Sequence, residues 1–129
     1  MREGGCLCGA VRFEIDAPLS DPIACHCKQC RRQSGHAFAA VAAPKAALHL
    51  SREEGLAWYR ASATAGRGFC RTCGATLFWR PDHGADVMVA MGALDDTAGL
   101  RLSGHYWTDF KGDYYDIADG LAQHEGEER

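Results

Sequence analysis

The chain has 129 residues, 47% of them apolar and 24% charged, with 14 Lys and Arg against 17 Asp and Glu for a formal net charge of −3. That length fits a single domain spanning 1–129, and the apolar fraction is enough for a buried core. The slight acidic balance argues against a polyanion-binding surface, so no nucleic acid is expected as partner, and the strongest apolar stretch, HAFAAVAAP, falls well short of the ~20 residues of a membrane span, so no membrane is expected either. The start, MREGGCLCGA, lacks the apolar core of a secretory signal. The expected location is therefore cytoplasmic, where thiols stay reduced and clustered cysteines bind metal more often than they pair.

In chain order, AVRFEI (10–15) alternates apolar and polar residues as a half-buried strand does. KQCRRQSG (28–35) predicts one short helical turn ended by Gly35. Further short strands are expected at AFAAVAA (37–43), LAWYR (56–60), ATLFWR (75–80) and DVMVAMGAL (86–94). Turn residues fill most gaps, at DAPLSDP, APKA, RPDHGAD and DDTAG, and GRG (66–68) reads as a turn. The charged tail AQHEGEER (122–129) is expected to fray. The sum is a mainly-β domain of short strands cross-linked by metal.

The seven cysteines fall into three tight groups: Cys6/Cys8, Cys25/Cys27/Cys30 and Cys70/Cys73. An odd number leaves one over from any full set of disulfides. Seven also divides as four plus three: four thiolates close a structural zinc site, and three leave a position open for water or substrate. Zn–S bonds of ~2.3 Å put ligand sulfurs less than ~4 Å apart. C-x-x-C reaches that separation in a tight turn, and CRTCG (70–74) adds a glycine that permits one. A C-x-C pair in a regular strand stands ~6.6 Å apart at the backbone, so GGCLCG must curl. Spacing allows two partitions. A zinc ribbon would join Cys27/Cys30 to Cys70/Cys73; the alternative joins Cys6/Cys8 to Cys70/Cys73 and leaves Cys25, Cys27 and Cys30 as a second site. The alternative gives every group a use, and the ribbon strands Cys25.

GGCLCGAVRFEI, CHCKQCRRQSG, GFCRTCGATLFWR and YYDIADGLAQHE, taken in order, resemble the glutathione-dependent formaldehyde-activating enzyme family, which also includes centromere protein V. The resemblance runs over nearly the whole chain. It implies a β-tent fold similar to that of methionine sulfoxide reductase B. It implies two zinc ions per chain, one structural on Cys6, Cys8, Cys70 and Cys73, and one on Cys25, Cys27 and Cys30. It also implies the activity: carbon–sulfur lyase or synthase chemistry on thiol–aldehyde adducts, as when glutathione and formaldehyde give S-hydroxymethylglutathione. In one place the chain departs from the pattern. Many relatives carry a Pro-Trp before the closing segment, and GDYY (112–115) stands here instead.

A zinc with three protein ligands keeps a position at which an incoming thiol, such as that of glutathione, is deprotonated. Three thiolates leave such a complex negative, so nearby positive charge would help. Arg31 and Arg32 follow the cluster; Arg32 is the candidate for a glutathione carboxylate, against the plainer reading of a solvated helical face. His36 is the candidate proton shuttle, against a simple loop histidine. His26, between two ligands, is expected at the surface or behind the ligands rather than on the metal. His105, in GHYWTDF, either lines the pocket with Tyr106 and Trp107 or belongs to strand core. Lys28 and Gln29 read as exposed spacers, and His49, His83 and His124 as incidental. Phe69, Phe78 and Trp79 read as core shielding the structural zinc. Two other functions compete: a non-catalytic zinc module that binds a partner, and a thiol redox switch at Cys25, Cys27 and Cys30.

Overall fold

A computed structural model describes residues 1–126. Its strands are β1 (Arg2–Gly5), β2 (Arg12–Ile15), β3 (Ile23–Cys25), β4 (Phe38–Pro44), β5 (Leu48–Arg52), β6 (Leu56–Arg60), β7 (Ala65–Cys70), β8 (Thr76–Pro81), β9 (Asp86–Ala90), β10 (Gly104–Tyr106) and β11 (Ala122–Gln123). The α-helix, α1 (Lys28–Ser34), follows β3, and Gly35 caps it in the left-handed conformation with φ 90°. Two sheets form. One is small and antiparallel, in the order β1-β2-β5; the other has eight strands, in the order β11-β10-β3-β4-β9-β8-β7-β6. The large sheet is antiparallel except where β10 runs parallel to β3 and to β11. The fold is mainly β, as the sequence pattern predicts.

Strand alternation assigns the two faces of the large sheet. Val41 pairs with Val89, and Val89 with Phe78. This face meets the small sheet, where Phe13 sets its ring edge-on to Phe78 at 5.2 Å between centroids. Val11, Phe13 and Ile15 join Val41, Val87 and Val89 there in one buried cluster. Each such side chain contributes ~1.5–3 kcal/mol on burial, so this layer dominates the packing energy. The opposite face follows the alternate residues. Cys25 pairs with Phe38, Ala42 with Met88, Met88 with Trp79, and Trp79 with Arg67. Helix α1 lies over this second face, so the sheet that carries the core on one side carries the candidate site on the other.

Three local expectations are corrected. The strand expected over 86–94 stops at Ala90, and Met91–Ala93 form a 3-10 turn. The chain bends because Leu94 leaves the large sheet to bridge Gly4 of the small one. GRG is not a turn but the middle of β7. A Cβ at Gly68 would stand 3.0 Å from both Phe78 and Trp58, so that glycine marks two rings packed against a strand. The tail does not fray from 122 onward: Ala122–Gln123 extend the sheet, and the His124 amide donates to the His105 carbonyl at 2.9 Å. Residues 127–129 of that tail lie outside the described residues. No described helix is long and apolar enough to cross a membrane.

Candidate metal centres and substrate cavity

The loop between β1 and β2 brings Cys6 and Cys8 against Cys70 and Cys73, from the end of β7 and the turn that follows it. All four sulfurs lie within 4.8 Å of one another. Cys8 Sγ stands 3.7 Å from Cys6 Sγ and 3.7 Å from Cys70 Sγ. A tetrahedron with ~2.3 Å metal–sulfur bonds has edges of ~3.8 Å, so the spacing fits a closed tetrathiolate site. The C-x-C pair reaches this by curling: Gly9 takes φ 85°, open to glycine and strained for other residues. Backbone amides aim at the sulfurs, from Val11 to Cys6 Sγ at 3.2 Å and from Cys73 to Cys70 Sγ at 3.5 Å. Such donors favour thiolate over thiol. A hydrogen bond from the Ala75 amide is the main cause holding the Cys73 thiol down at about 6.

The second cluster is assembled by the β3–α1 junction. Cys25 ends β3, Cys27 is the N-cap of α1, and Cys30 lies in the first turn. Their sulfurs also lie within 4.8 Å of one another. The ribbon grouping of Cys27 and Cys30 with Cys70 and Cys73 does not occur among the described residues. Cys27 Sγ accepts from the Cys30 amide at 3.4 Å. Cys27 is the favoured thiolate, its pKa held down at about 2 by hydrogen bonds from Cys25 and Cys30, with Arg67 adding positive charge. The Cys25 thiol is pushed up, first by bonding to Cys27 and Cys30 and then by burial. Three thiol sulfurs around one point, with amide and guanidinium hydrogen bonds ready for negative charge on them, fit a soft divalent metal.

Arg67 supplies the positive charge, and no motif in the sequence announced it. It is 4% exposed. Its guanidinium donates to Cys30 Sγ at 3.3 Å, to Gln33 Oε1 at 3.1 Å and to Gln29 Oε1 at 3.3 Å, and lies over the Phe38 ring. The only signal was a charged residue between two glycines in a stretch with no other turn marker. Gln29 is therefore more than a spacer: besides receiving Arg67, its amide donates to the Ala61 carbonyl at 3.1 Å.

Cys25, Cys27 and Cys30 open onto a cavity of about 390 Å³. Lys28, Gln29, Ser62 and Arg67 give it a polar side; Phe38, Trp79, Met88, Trp107 and Phe110 give it an apolar one. Trp79 thus faces the cavity and does not shield the four-cysteine cluster, since its pairing with Arg67 and Met88 puts it on the face opposite to Phe78. Phe78 alone of that pair is core, at 1% exposure. Arg32 and His36 are exposed, Arg31 is half-buried, and none of the three lines the cavity.

The histidines form a separate network. His26 is buried, not at the surface: Nδ1 meets the Tyr115 hydroxyl at 2.5 Å and Nε2 meets His105 Nδ1 at 2.9 Å. With both ring nitrogens engaged, His26 has none left for a metal. Burial, and then His105, lower its pKa to about 4, so it is neutral at physiological pH. His105 Nε2 meets Asp119 Oδ2 at 2.7 Å. His36 Nδ1 meets the Tyr114 hydroxyl at 2.5 Å. The tyrosines of GDYY thereby fasten the segment 111–120 across the back of the β3–α1 junction. His49 and His83 are exposed, and His124 stacks on Tyr106.

A mainly-β scaffold with one four-thiol cluster and one cavity-facing three-thiol cluster defines the class of protein: a β domain with two groups of cysteines spaced as metal ligands are, the second of them at a cavity. A family model described as glutathione-dependent formaldehyde-activating enzyme matches residues 1–110. The chain belongs to that family. It is 28% identical to an uncharacterised lyase of Schizosaccharomyces pombe over 91% of this chain and 85% of that protein. Its fold is similar to the crystal structure of a Rhodobacter sphaeroides protein, with a TM-score of 0.61 and 32% identity over 77% of this chain and 90% of that one.

Proposed function

We propose that the protein is a zinc-dependent carbon–sulfur lyase or synthase acting on thiol–aldehyde adducts, with S-hydroxymethylglutathione as the reference substrate. The observation that carries this reading is the opening of Cys25, Cys27 and Cys30 onto a cavity beside a buried guanidinium. Membership of the family, and a relative named as a lyase, support it. Cys6, Cys8, Cys70 and Cys73 would hold a structural zinc, and Cys25, Cys27 and Cys30 a second, two per chain. At the second centre the metal, when bound, supplies a Lewis acid that lowers the pKa of an incoming thiol to neutral pH.

The chain's own groups do the rest. Arg67 offsets the negative charge of the three thiolates, which keeps the centre attractive to an anionic sulfur. Lys28, exposed at the cavity rim, is placed to meet a carboxylate of the thiol substrate. Lys28 and Arg67, rather than Arg32 and His36, carry the charge that faces the cavity. The apolar wall keeps bulk water from the reacting carbon. In the forward direction the thiol sulfur bonds to the carbonyl carbon while the oxygen gains the proton that the sulfur gives up.

The test is exchange NMR of glutathione with formaldehyde, on protein loaded with metal under reductant, beside a metal analysis of the same sample. Two zinc equivalents and an exchange rate well above the uncatalysed one, lost in Cys27→Ser, are expected. An unaccelerated exchange in protein carrying both metals sinks the enzymatic reading and leaves a non-catalytic zinc module.

A further inference from the structure

The cavity of about 390 Å³ also takes the thiol, so its size alone does not select the aldehyde; its apolar lining is what a formaldehyde adduct would leave unused. Formaldehyde has two heavy atoms and reaches only the sulfurs. Beyond them stands an apolar wall of Ile23, Phe38, Trp79, Met88, Trp107 and Phe110. Four strands supply Ile23, Phe38, Met88 and Trp79 in register. Cys25 pairs with Phe38, Ile23 with Ala40, and Met88 with Trp79, so this part of the wall begins at the cysteines and runs across the sheet face, with the Arg67 guanidinium lying over the Phe38 ring.

The flank of the wall that follows β10, beside β3, is held at a cost. Trp107 is the one non-glycine residue among those described with a left-handed backbone, at φ 56° and ψ 42°. A bulky side chain adopts that conformation only when its surroundings impose it. There the strained residue starts the 3-10 turn Thr108–Phe110 and sets Trp107 against Phe110, ring centroids 5.9 Å apart. Phe110 nevertheless remains 50% exposed. An aromatic pair fixed by backbone strain, left open to solvent and facing a reactive centre, is suited to a ligand that covers it.

We infer that the carbonyl partner in this protein's thiol adducts is a bulky apolar one, an aromatic or branched aldehyde, seated on Trp79, Met88, Trp107 and Phe110 with its carbonyl carbon toward Cys25, Cys27 and Cys30. This rests on the thiol–aldehyde reading above and names the substrate class at that site. The step is the same addition: one S–C bond forms, the C=O π bond breaks, the thiol proton passes to the oxygen, and no electrons are gained or lost.

The zinc-loaded protein is titrated calorimetrically with two unreactive thioethers, S-benzylglutathione and S-methylglutathione. In parallel, adduct formation of glutathione with phenylacetaldehyde and with formaldehyde is followed by NMR. Burial of the phenyl ring predicts S-benzylglutathione at least about tenfold tighter than S-methylglutathione. Phe110→Ala, at a half-exposed position that tolerates truncation, should cut that ratio about fivefold. S-benzylglutathione no tighter than S-methylglutathione, with formaldehyde still accelerated, overturns the inference and leaves the proposed function standing. A preference that Phe110→Ala and Met88→Ala both leave intact also overturns it. Neither thioether bound and neither aldehyde accelerated overturns both.

Discussion

At the four-cysteine cluster the sulfurs face one another between two loops, and Cys70 has no exposed surface. At the three-cysteine cluster the sulfurs stand along the edge of a cavity, with Arg67 behind them. Both present reduced thiols within 4.8 Å of one another, fed by backbone amides. What separates them is supporting structure. The first cluster pins the β1–β2 loop to the end of β7, elements distant in sequence and otherwise bridged through Gly55, whose amide donates to the Ala10 carbonyl and whose carbonyl accepts from the Arg71 amide. The second lies within six consecutive residues, so its ligands close almost no loop of chain. A cross-link between distant segments stabilises the fold; one within a single junction adds little to it and is free to serve chemistry.

The largest expected effect breaks that comparison in two. Cys70→Ser should unfold the protein or leave it aggregating, because a structural thiolate zinc site is worth ~10 kcal/mol or more in small domains, comparable with a whole domain's stability. Cys27→Ser should keep the circular dichroism spectrum and most of the melting temperature while losing one metal equivalent and the activity. A Cys70→Ser protein that melts like the wild type would show that the four-cysteine cluster is not the structural one.

Arg67 sharpens the same contrast. Arg67→Ala removes three hydrogen bonds at a buried position and should cost about 1–3 kcal/mol in stability. It should also weaken metal at the three-cysteine centre about tenfold, as losing a group that supports ligands does, and leave the other centre untouched. Arg67→Lys keeps the charge but not the planar fork that reaches Gln29, Gln33 and Cys30 together, so it should recover metal affinity only in part. Competition with a chromogenic chelator, read separately for the two equivalents, measures this. Equal weakening at both centres would assign Arg67 a purely structural role.

The cysteines were legible because metal chemistry demands short local spacings, and short spacings are visible in one dimension. The strands 56–60 and 75–80 were legible for a similar reason, since each carries its own pattern. Strands β3 and β10 were not: three residues each, IAC and GHY, are too few to show a period, and what makes them strands is their pairing with each other and with β4. Arg67 was hidden in the same way. Its environment is made by Gln29, Cys30 and Gln33, some 34 to 38 residues away. The glycines around it read as a turn because a sequence shows that a side chain is missing but not which rings occupy the space. The charge expected from neighbours in the chain, Arg31 or Arg32, comes instead from a neighbour in the sheet.

A smaller effect tests the seam between the sheets beside the four-cysteine cluster. A Cβ at Gly4 would stand 2.3 Å from the Ala93 carbonyl oxygen and 2.6 Å from the Phe13 ring. Gly4→Ala should therefore destabilise by about 1–3 kcal/mol, the usual cost of overpacking. Since Gly4 is remote from the cavity, adduct exchange in the folded variant should be unchanged. Denaturant unfolding measures the first and exchange NMR the second.

The smallest effect is electrostatic and lies at the same seam. Arg12 grips Asp95 with both guanidinium nitrogens, at 2.6 and 3.2 Å, which holds the Asp95 carboxyl below its ordinary value. A lowered folded-state pKa means that the folded protein binds the proton less readily than the unfolded chain. The pair's stabilisation is then fully present above the unfolded carboxylate pKa of ~3.9 and is lost as pH falls through the lower folded value. Asp95→Asn should lower the melting temperature slightly at pH 7, and the gap from wild type should close in acid, where wild-type Asp95 is itself protonated. Metal release in acid affects both proteins alike, so the difference between them isolates the ion pair. Both groups are partly exposed, at 34% and 52%, so ~1 M salt should shrink the gap at pH 7 as well. A gap that survives both acid and salt would mean that Asp95 acts through packing at the β1–β2 seam rather than through its charge.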